Sequence, residues 1–229
     1  MGVMCAGHSS SFNSARPDSN DCPTPINGAL KGGPGNIQDH MFHSIAIDPK
    51  NQNVVYAGTE TNGIFKTTDG GSTWIRLRQG LKCTVYQTGY SQIFNITVDP
   101  INSQILYAAT VNGPGPNSPQ LYPSASGGVY RSTDGGLSWT QKNNGLPNTY
   151  ATYVLVDSTN PQRIYVGLGG VKSTFSLAPG FYRGGVYVST NAGDRWTALP
   201  VPAGVDSNIY VNMVIRGGNI LYGSAQLHG

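Results

Sequence analysis

Carboxylates are the side chains of this 229-residue sequence best suited to acid–base chemistry, and it contains eleven of them. Six recur at places typical of strand ends and tight turns: Asp48, Asp69, Asp99, Asp134, Asp157 and Asp194. Asp18 and Asp21 lie in an N-terminal segment without periodicity. The remaining candidates are Asp39, Glu60 and Asp206. Hydrolysis of a glycoside needs two carboxylates across the scissile bond, so we predict no catalytic pair and keep Glu60 as the single candidate acid.

Other arrangements that carry chemistry are not recognisable in the sequence. There is no Ser-His-Asp arrangement and no glycine-rich phosphate loop. His40 and His43 are three residues apart, a spacing that points them to opposite faces of a strand. Cys5, Cys22 and Cys83 lack metal-ligand spacing, so a Cys5–Cys22 disulfide and free thiols both stay open. We predict no metal and no cofactor.

Composition narrows the possible partners. Only 11% of the residues are charged and the formal net charge is +3, which provides no basic stripe for nucleic acid. No apolar run reaches the length of about 18 residues that a transmembrane helix needs. Few charges among many Gly, Ser, Thr and Asn residues favour an extracytoplasmic location, with a leader that is missing or removed.

An eight-residue segment, here called the octet, occurs three times, at 67–74, 132–139 and 189–196. Its Asp or Asn suits a turn, because a side-chain oxygen there accepts hydrogen bonds from nearby backbone N–H groups. The glycine two places later suits a positive φ, and the closing tryptophan anchors the next strand. The residues predicted to hold these corners are Thr67, Asp69, Gly71, Trp74, Ser132, Asp134, Gly136, Trp139, Ser189, Asn191, Gly193 and Trp196.

Each octet belongs to a unit of four short strands. In the first unit, strand patterns at 44–48, 54–59 and 63–68 precede the octet and another follows it at 74–78. Tyrosines at the same place in the second strands are separated by 51, 58 and 57 residues: Tyr56, Tyr107, Tyr165 and Tyr222. A period of this length predicts an all-β fold, a β-propeller of four-stranded antiparallel blades.

The predicted propeller is incomplete. We expect an irregular N-terminal arm or cap at 1–39 and a partial propeller at 40–229, with blades at about 40–81, 90–146, 150–200 and 209–229. Three full blades and half of a fourth fall short of a closed ring, which usually has about four to eight. A longer protein, unrecognised strands in the arm or a second copy would each supply the rest. Open blade edges invite pairing, so we expect self-association or a partner there.

The octets resemble the Asp boxes, or BNR repeats, of sialidase-like propellers. The longer pattern at 45–74 is similar to repeats in sortilin-type receptor domains, photosystem II assembly-factor propellers and xyloglucan-cleaving glycoside hydrolases. The resemblance covers about residues 40–225 and implies the fold. It implies no single function, because these families bind or cut unrelated molecules.

The resemblance also bears on catalysis. The segment 56–63 is similar to the blade turn where xyloglucan-cleaving enzymes place one catalytic Asp, and Glu60 stands at that position here. In those enzymes the second acid comes from a different propeller. A sialidase-type activity is disfavoured, because no Arg-Ile-Pro motif precedes the repeats and Arg163, Arg183 and Arg216 form no recognisable carboxylate-binding triad.

The long connections opposite the octets are the predicted ligand surface, because function often lies on variable loops carried by a rigid scaffold. These connections are 82–92, 111–127, 143–152, 169–184 and 200–210. Aromatic rings among Asn, Ser and Gly suit stacking on sugar or peptide, although several must pack the loops instead. The candidate ligand-binding residues are Tyr86, Tyr90, Tyr122, Tyr150, Phe181, Tyr182 and Arg183.

From the residues we therefore predict a non-catalytic module that binds glycan or protein through the loops opposite the octets. Two alternatives stay open. One is a fragment of a glycoside-hydrolase-like, xyloglucanase-type enzyme that uses Glu60. The other is a structural subunit of a larger ring or filament.

Overall fold

The computed structural model describes residues 42–60, 62–82, 92–111, 126–169, 171–173, 180–182, 184–200, 210–216 and 220–226. The predicted arm at 1–39 lies outside these residues, as do the three cysteines and Asp206.

All regular elements of the described residues are β-strands, sixteen in number. They are β1 (Phe42–Asp48), β2 (Asn51–Thr59), β3 (Ile64–Thr67), β4 (Ile75–Leu77), β5 (Gln92–Val98), β6 (Leu106–Val111), β7 (Gly128–Ser132), β8 (Thr140–Gln141), β9 (Ala151–Val156), β10 (Ile164–Leu168), β11 (Val171–Ser173), β12 (Gly180–Tyr182), β13 (Gly185–Ser189), β14 (Thr197–Ala198), β15 (Tyr210–Arg216) and β16 (Ile220–Gln226).

These strands form three four-stranded antiparallel sheets, and two hairpins form two-stranded sheets of their own. The large sheets have the orders β1-β2-β3-β4, β5-β6-β7-β8 and β9-β10-β13-β14, and we call them blades 1, 2 and 3. The hairpin β15–β16 is the beginning of a fourth blade, and β11–β12 is the other hairpin. The prediction of an all-β, incomplete propeller with three full blades and half of another is confirmed.

One predicted loop contains regular structure. The connection 169–184 includes the hairpin β11–β12, in which Val171 pairs with Tyr182 and Ser173 with Gly180. Its strands have only three residues each, too short for alternation to distinguish them from irregular chain. The hairpin is therefore an insertion between the second and third strands of blade 3.

The blades meet through their first strands. Strand β1 contacts β5, β5 contacts β9, and β9 contacts β15. The fourth strands of the blades are not among these contacts, so the first strands are innermost and the fourth strands are outermost. This is the radial arrangement of a propeller.

One tyrosine of blade 1 and one of blade 2 each connect their blade to the octet of the next. The Tyr56 hydroxyl donates to the Gly135 carbonyl at 3.1 Å, and the Tyr107 hydroxyl donates to the Ala192 carbonyl at 3.2 Å. Gly135 and Ala192 hold the same place in their octets. Both tyrosines are about 1% exposed, and burial raises the pKa of each to about 12. Tyr56 and Tyr107 are thus buried links between consecutive blades.

A glycine turn repeats the same connection on the backbone. After β4 the Gln79 carbonyl accepts the N–H of Trp139, and after β8 the Asn144 carbonyl accepts the N–H of Trp196, both at 2.9 Å. Gly80 follows Gln79 with φ of 83°. A Cβ on Gly80 would lie 2.0 Å from the Trp139 carbonyl oxygen. Only glycine allows this approach between blades.

We expect Tyr107→Phe to lower the free energy of unfolding by about 1 to 3 kcal/mol, because it leaves the buried Ala192 carbonyl without its donor. Urea denaturation measures this loss. Tyr165→Phe is the matched control, since Tyr165 holds the same strand position but is only half-buried. Equal losses in the two variants would contradict a special role for the inter-blade bond.

We expect Gly80→Ala to be more destabilising than Gly185→Ala. Both glycines have positive φ, 83° and 118°, so both substitutions strain the backbone. Only Gly80 would also bring a Cβ against the next blade, whereas Gly185 has no atom within 4 Å of that position. The additional loss is about 1 to 3 kcal/mol, measured by thermal unfolding. Similar melting temperatures would show that the close approach is unimportant.

Candidate functional site

The strand register separates two ends of the blades. At one end, Asp48 pairs with Asn51 and Val55 pairs with Thr67, so the first turn of the blade and the octet lie together. We call this the octet end. At the other end, Phe42 pairs with Thr59, next to the β2–β3 turn. We call this the loop end.

The polar side chains of the first octet form hydrogen bonds within the octet. Asp69 accepts the N–H of Thr73 at 2.9 Å and its hydroxyl at 2.5 Å. Thr67 donates its hydroxyl to Asp69 at 2.7 Å and accepts the N–H of Gly71 at 2.9 Å. The carboxylate and the hydroxyl together close the corner.

The second octet repeats this network, and the third repeats it with two substitutions. Asp134 accepts the N–H of Ser138 at 2.9 Å and its hydroxyl at 2.5 Å. In the third octet Asn191 accepts the N–H of Arg195 at 3.0 Å, and no hydroxyl is present at residue 195. Asparagine keeps the acceptor that the turn needs, so the corner survives without the charge.

The octet carboxylates ionise readily for local reasons. The hydroxyl and N–H of Thr73 lower the pKa of Asp69 to about 2. Burial alone would raise the pKa of Asp134, but the hydrogen bonds from Ser138 and Ser132 together have the larger effect. The pKa of Asp134 is therefore lowered. The Lys142 ammonium, 2.7 Å away, lowers the pKa of Asp194. These groups stay charged at neutral pH, and their hydrogen bonds stabilise the turns.

The aspartates that follow the first strands also have structural partners. All three are buried, and each accepts the N–H two residues further on: Asp48 from Lys50 at 2.8 Å, Asp99 from Ile101 at 2.8 Å and Asp157 from Thr159 at 2.9 Å. Six of the seven described carboxylates therefore lie at the octet end, and Glu60 is the one at the loop end.

Glu60 lies between β2 and β3, where several hydrogen bonds connect the flanking described residues. The Thr59 hydroxyl donates to the Gly63 carbonyl at 2.8 Å and accepts the N–H of Asn62 at 2.9 Å. Arg76 donates to the Asn62 carbonyl at 2.7 Å. Gln92, at the start of β5 in the next blade, donates its amide to Glu60 Oε1 at 2.9 Å. The half-buried carboxylate is thus oriented by two neighbouring blades.

An aromatic row also lies at the loop end, on the innermost strands. His43 of β1 stacks on Phe94 of β5, with centroids 5.2 Å apart and planes 8° apart. The rings of Phe94 and Tyr150 are also neighbours, with centroids 6.4 Å apart. His43 is exposed and Phe94 is half-buried, whereas Tyr150 is only 2% exposed. The row therefore presents its His43–Phe94 part to the surface.

The predicted ligand-binding residues have different outcomes. Tyr86, Tyr90, Tyr122 and Arg183 lie outside the described residues. Phe181 and Tyr182 belong to β12, whose backbone alone is described. The burial of Tyr150 favours packing for that ring, and its contact with a ligand stays a prediction.

Sequence reasoning missed Gln92, His43 and Phe94 as parts of this site. Gln92 was within a predicted variable loop, but it is the first residue of β5 and is 9% exposed. Phe94 corresponds to His43 when the two first strands are aligned on their terminal aspartates. That alignment was the available signal, since equivalent residues on adjacent inner strands become neighbours.

No group of three or more His, Cys, Asp or Glu side chains among the described residues could hold a metal ion. No helix there combines the length and apolar character required to cross a bilayer.

We expect acid to destabilise the protein partly through Asp69. A carboxylate with a lowered pKa stabilises the fold above its unfolded pKa, and this contribution is lost as the pH falls through the folded pKa. For Asp69 the interval runs from 3.8 to about 2. Unfolding free energies over this interval should fall less steeply for Asp69→Asn than for the wild type, because asparagine does not titrate. Parallel pH profiles would contradict the assignment.

Among known proteins, the chain is similar in sequence to xyloglucanases. No protein-family model matches the chain. It is 30% identical over 189 residues to a xyloglucanase of Hypocrea jecorina (strain QM6a), covering 69% of this chain and 20% of that protein. It is 28% identical over 226 residues to a xyloglucanase of Paenibacillus sp, covering 82% of this chain and 20% of that protein.

A solved structure agrees with these relatives. The crystal structure of a GH74 enzyme from Niastella koreensis matches with a TM-score of 0.54 and 25% identity, over 80% of this chain and 26% of that chain. The chain spans about a fifth of the length of the curated relatives it matches. In sequence and in fold it is therefore similar to part of a xyloglucanase β-propeller.

Proposed function

We propose that this chain forms part of the glycan-binding surface of a xyloglucanase-type propeller, with Glu60 as one carboxylate of a hydrolytic pair. The observation that carries the proposal is the position of Glu60, the one described carboxylate at the loop end, in a chain similar to xyloglucanases over 69% of its length. A likeness in fold alone would not assign this activity.

The geometry around Glu60 suits an acid or base that must be held in place. Its turn is tied by Thr59 and Asn62, and Gln92 donates to Oε1 at 2.9 Å. A carboxylate positioned in this way exchanges a proton with a glycosidic oxygen or a water if the sugar lies within hydrogen-bond reach. The second carboxylate must come from residues outside those described, because the other described ones lie at the octet end.

The His43–Phe94 stack supplies the apolar part of a sugar site. A flat, partly exposed ring pair can pack against the C–H face of a pyranose. The polar group at the same end of the blades is the half-buried Glu60, whereas Gln92 and Asn62 are buried and support it from below the surface. Carbohydrate sites combine such apolar surface with a few placed polar groups. The predicted loop aromatics stay candidate contacts beside this surface.

Several finer assignments accompany this proposal. We propose that the octets are Asp boxes, which their shared Ser or Thr and Asp or Asn hydrogen bonds support. We retain the domain boundary near residue 40 and an extracytoplasmic location as proposals, the latter because polysaccharide is the substrate that the proposed activity requires.

A second candidate is a non-catalytic glycan-binding module. It is favoured by the presence of one carboxylate, rather than two, among the described residues of the loop end. Release of reducing ends distinguishes the candidates. A hydrolase releases them from xyloglucan and stops when Glu60 becomes glutamine, whereas a binding module releases none and keeps its affinity in both forms.

We expect the chain to bind xyloglucan oligosaccharides, and Phe94→Ala to weaken binding about tenfold, since stacking on one ring contributes about 0.5 to 1.5 kcal/mol beyond the area it buries. Isothermal titration calorimetry measures the affinities. Phe65→Ala is unsuitable as a control because Phe65 is in the core. Leu137→Ala is preferable, since Leu137 is 56% exposed in the second octet, at the opposite end.

The wild type and Leu137→Ala should bind equally. Absence of binding by the folded wild type to xyloglucan and related β-glucans would contradict the proposed function. If Phe94→Ala binds with the same affinity as the wild type, the sugar does not contact the aromatic row, but the proposed function stands.

A further inference from the structure

Two isoleucines of β1 are exposed at positions that the next two blades bury. Ile45 is 70% exposed and Ile47 is 56% exposed. Ile45 pairs with Ala57 in blade 1, and its equivalent Ile96 pairs with Ala108 in blade 2. Ile96 is only 3% exposed. The same residue position is therefore exposed to solvent in blade 1 and buried in blade 2.

Blade 3 shows the same contrast with blade 1. Val154 and Val156 are the equivalents of Ile45 and Ile47, and they are 0% and 6% exposed. They share a core cluster with Tyr107 of the preceding blade. In blade 2 the corresponding cluster includes Tyr56 of blade 1. In blades 2 and 3, the second-strand tyrosine and neighbouring strands of the preceding blade therefore cover these first-strand residues.

The octets show the same pattern on the backbone. Gly135 and Ala192 are buried, and each accepts a tyrosine hydroxyl from the preceding blade. Their equivalent in the first octet, Gly70, is exposed. Ile45, Ile47 and Gly70 are thus the equivalents of inter-blade positions in blades 2 and 3, and we call them the leading face of blade 1.

We propose that the leading face of blade 1 binds a second copy of this chain through its hairpin β15–β16. The hairpin repeats the register of the covering blades: Tyr222 pairs with Val214, as Tyr56 pairs with Ala46 and Tyr107 with Thr97. It also contacts β9, β10 and β13, which places it as the blade that follows blade 3. The new contact continues an interface that the chain already forms between its own blades.

The contact joins different surfaces of the two copies, so it either closes a ring or continues as a filament. Each copy contributes three full blades and the sheet of β15–β16 among its described residues. The described residues of two copies therefore supply six full blades and two part-blades, which together lie within the range of about four to eight found in closed propellers. The contact then closes a ring as a head-to-tail dimer.

The test is the mass of the chain in solution, measured by multi-angle light scattering over a range of concentrations. The wild type should be a dimer. Ile45→Lys combined with Ile47→Lys should raise the dissociation constant at least about a hundredfold, because it replaces two apolar side chains of the contact with charged ones. Ile75→Lys is the matched control, since Ile75 is 53% exposed on the outer strand β4.

Tyr222→Ala provides a second test from the other side of the contact. It should raise the dissociation constant at least about tenfold, while circular dichroism confirms that both variants stay folded. A monomeric wild type would overturn the proposal. A dimer that persists in the double lysine variant would also overturn it. If the wild type is a monomer and the double substitution unfolds it, the leading face is covered within the same chain, and the proposal is wrong.

Discussion

The structure depends on contacts between one blade and the octet of the next. A four-stranded sheet alone leaves apolar side chains in water on both faces, and these blades bury them only against a neighbour. Tyr56 and Tyr107 bring a buried hydroxyl to the next octet, and Gly80 brings the backbone to Trp139. The octet is thus a local turn and an acceptor for the preceding blade, which explains why a short polar motif repeats so closely.

This division of labour separates stability from function. The octet end holds six described carboxylates, each occupied with nearby donors. The loop end holds Glu60, Gln92 and the His43–Phe94 stack, which come from two adjacent blades. A site made by two blades is positioned by the same interface that stabilises them. Substitutions at the inter-blade tyrosines are therefore expected to affect the site through its geometry.

The sequence was sufficient for the local features of the fold. Strand patterns, the Asp and Asn corners and the glycines with positive φ follow from short-range chemistry, and the described octets have these features. Contacts between blades were harder to predict from the sequence. Glu60 and Gln92 are 32 positions apart, and their hydrogen bond depends on how two sheets pack. Tyr150 illustrates the same limit, because a ring in a connecting segment gives no sign of whether it packs inward.

Native-state hydrogen exchange tests most directly whether the blades stabilise one another. Amides of the central strands β2, β6 and β10 report the opening of blades 1, 2 and 3 separately. If inter-blade contacts dominate, these amides should share one opening free energy, and Tyr56→Phe should reduce protection in blade 2 as well as in blade 1. Three independent opening free energies, with the effect of Tyr56→Phe confined to blade 1, would contradict the account.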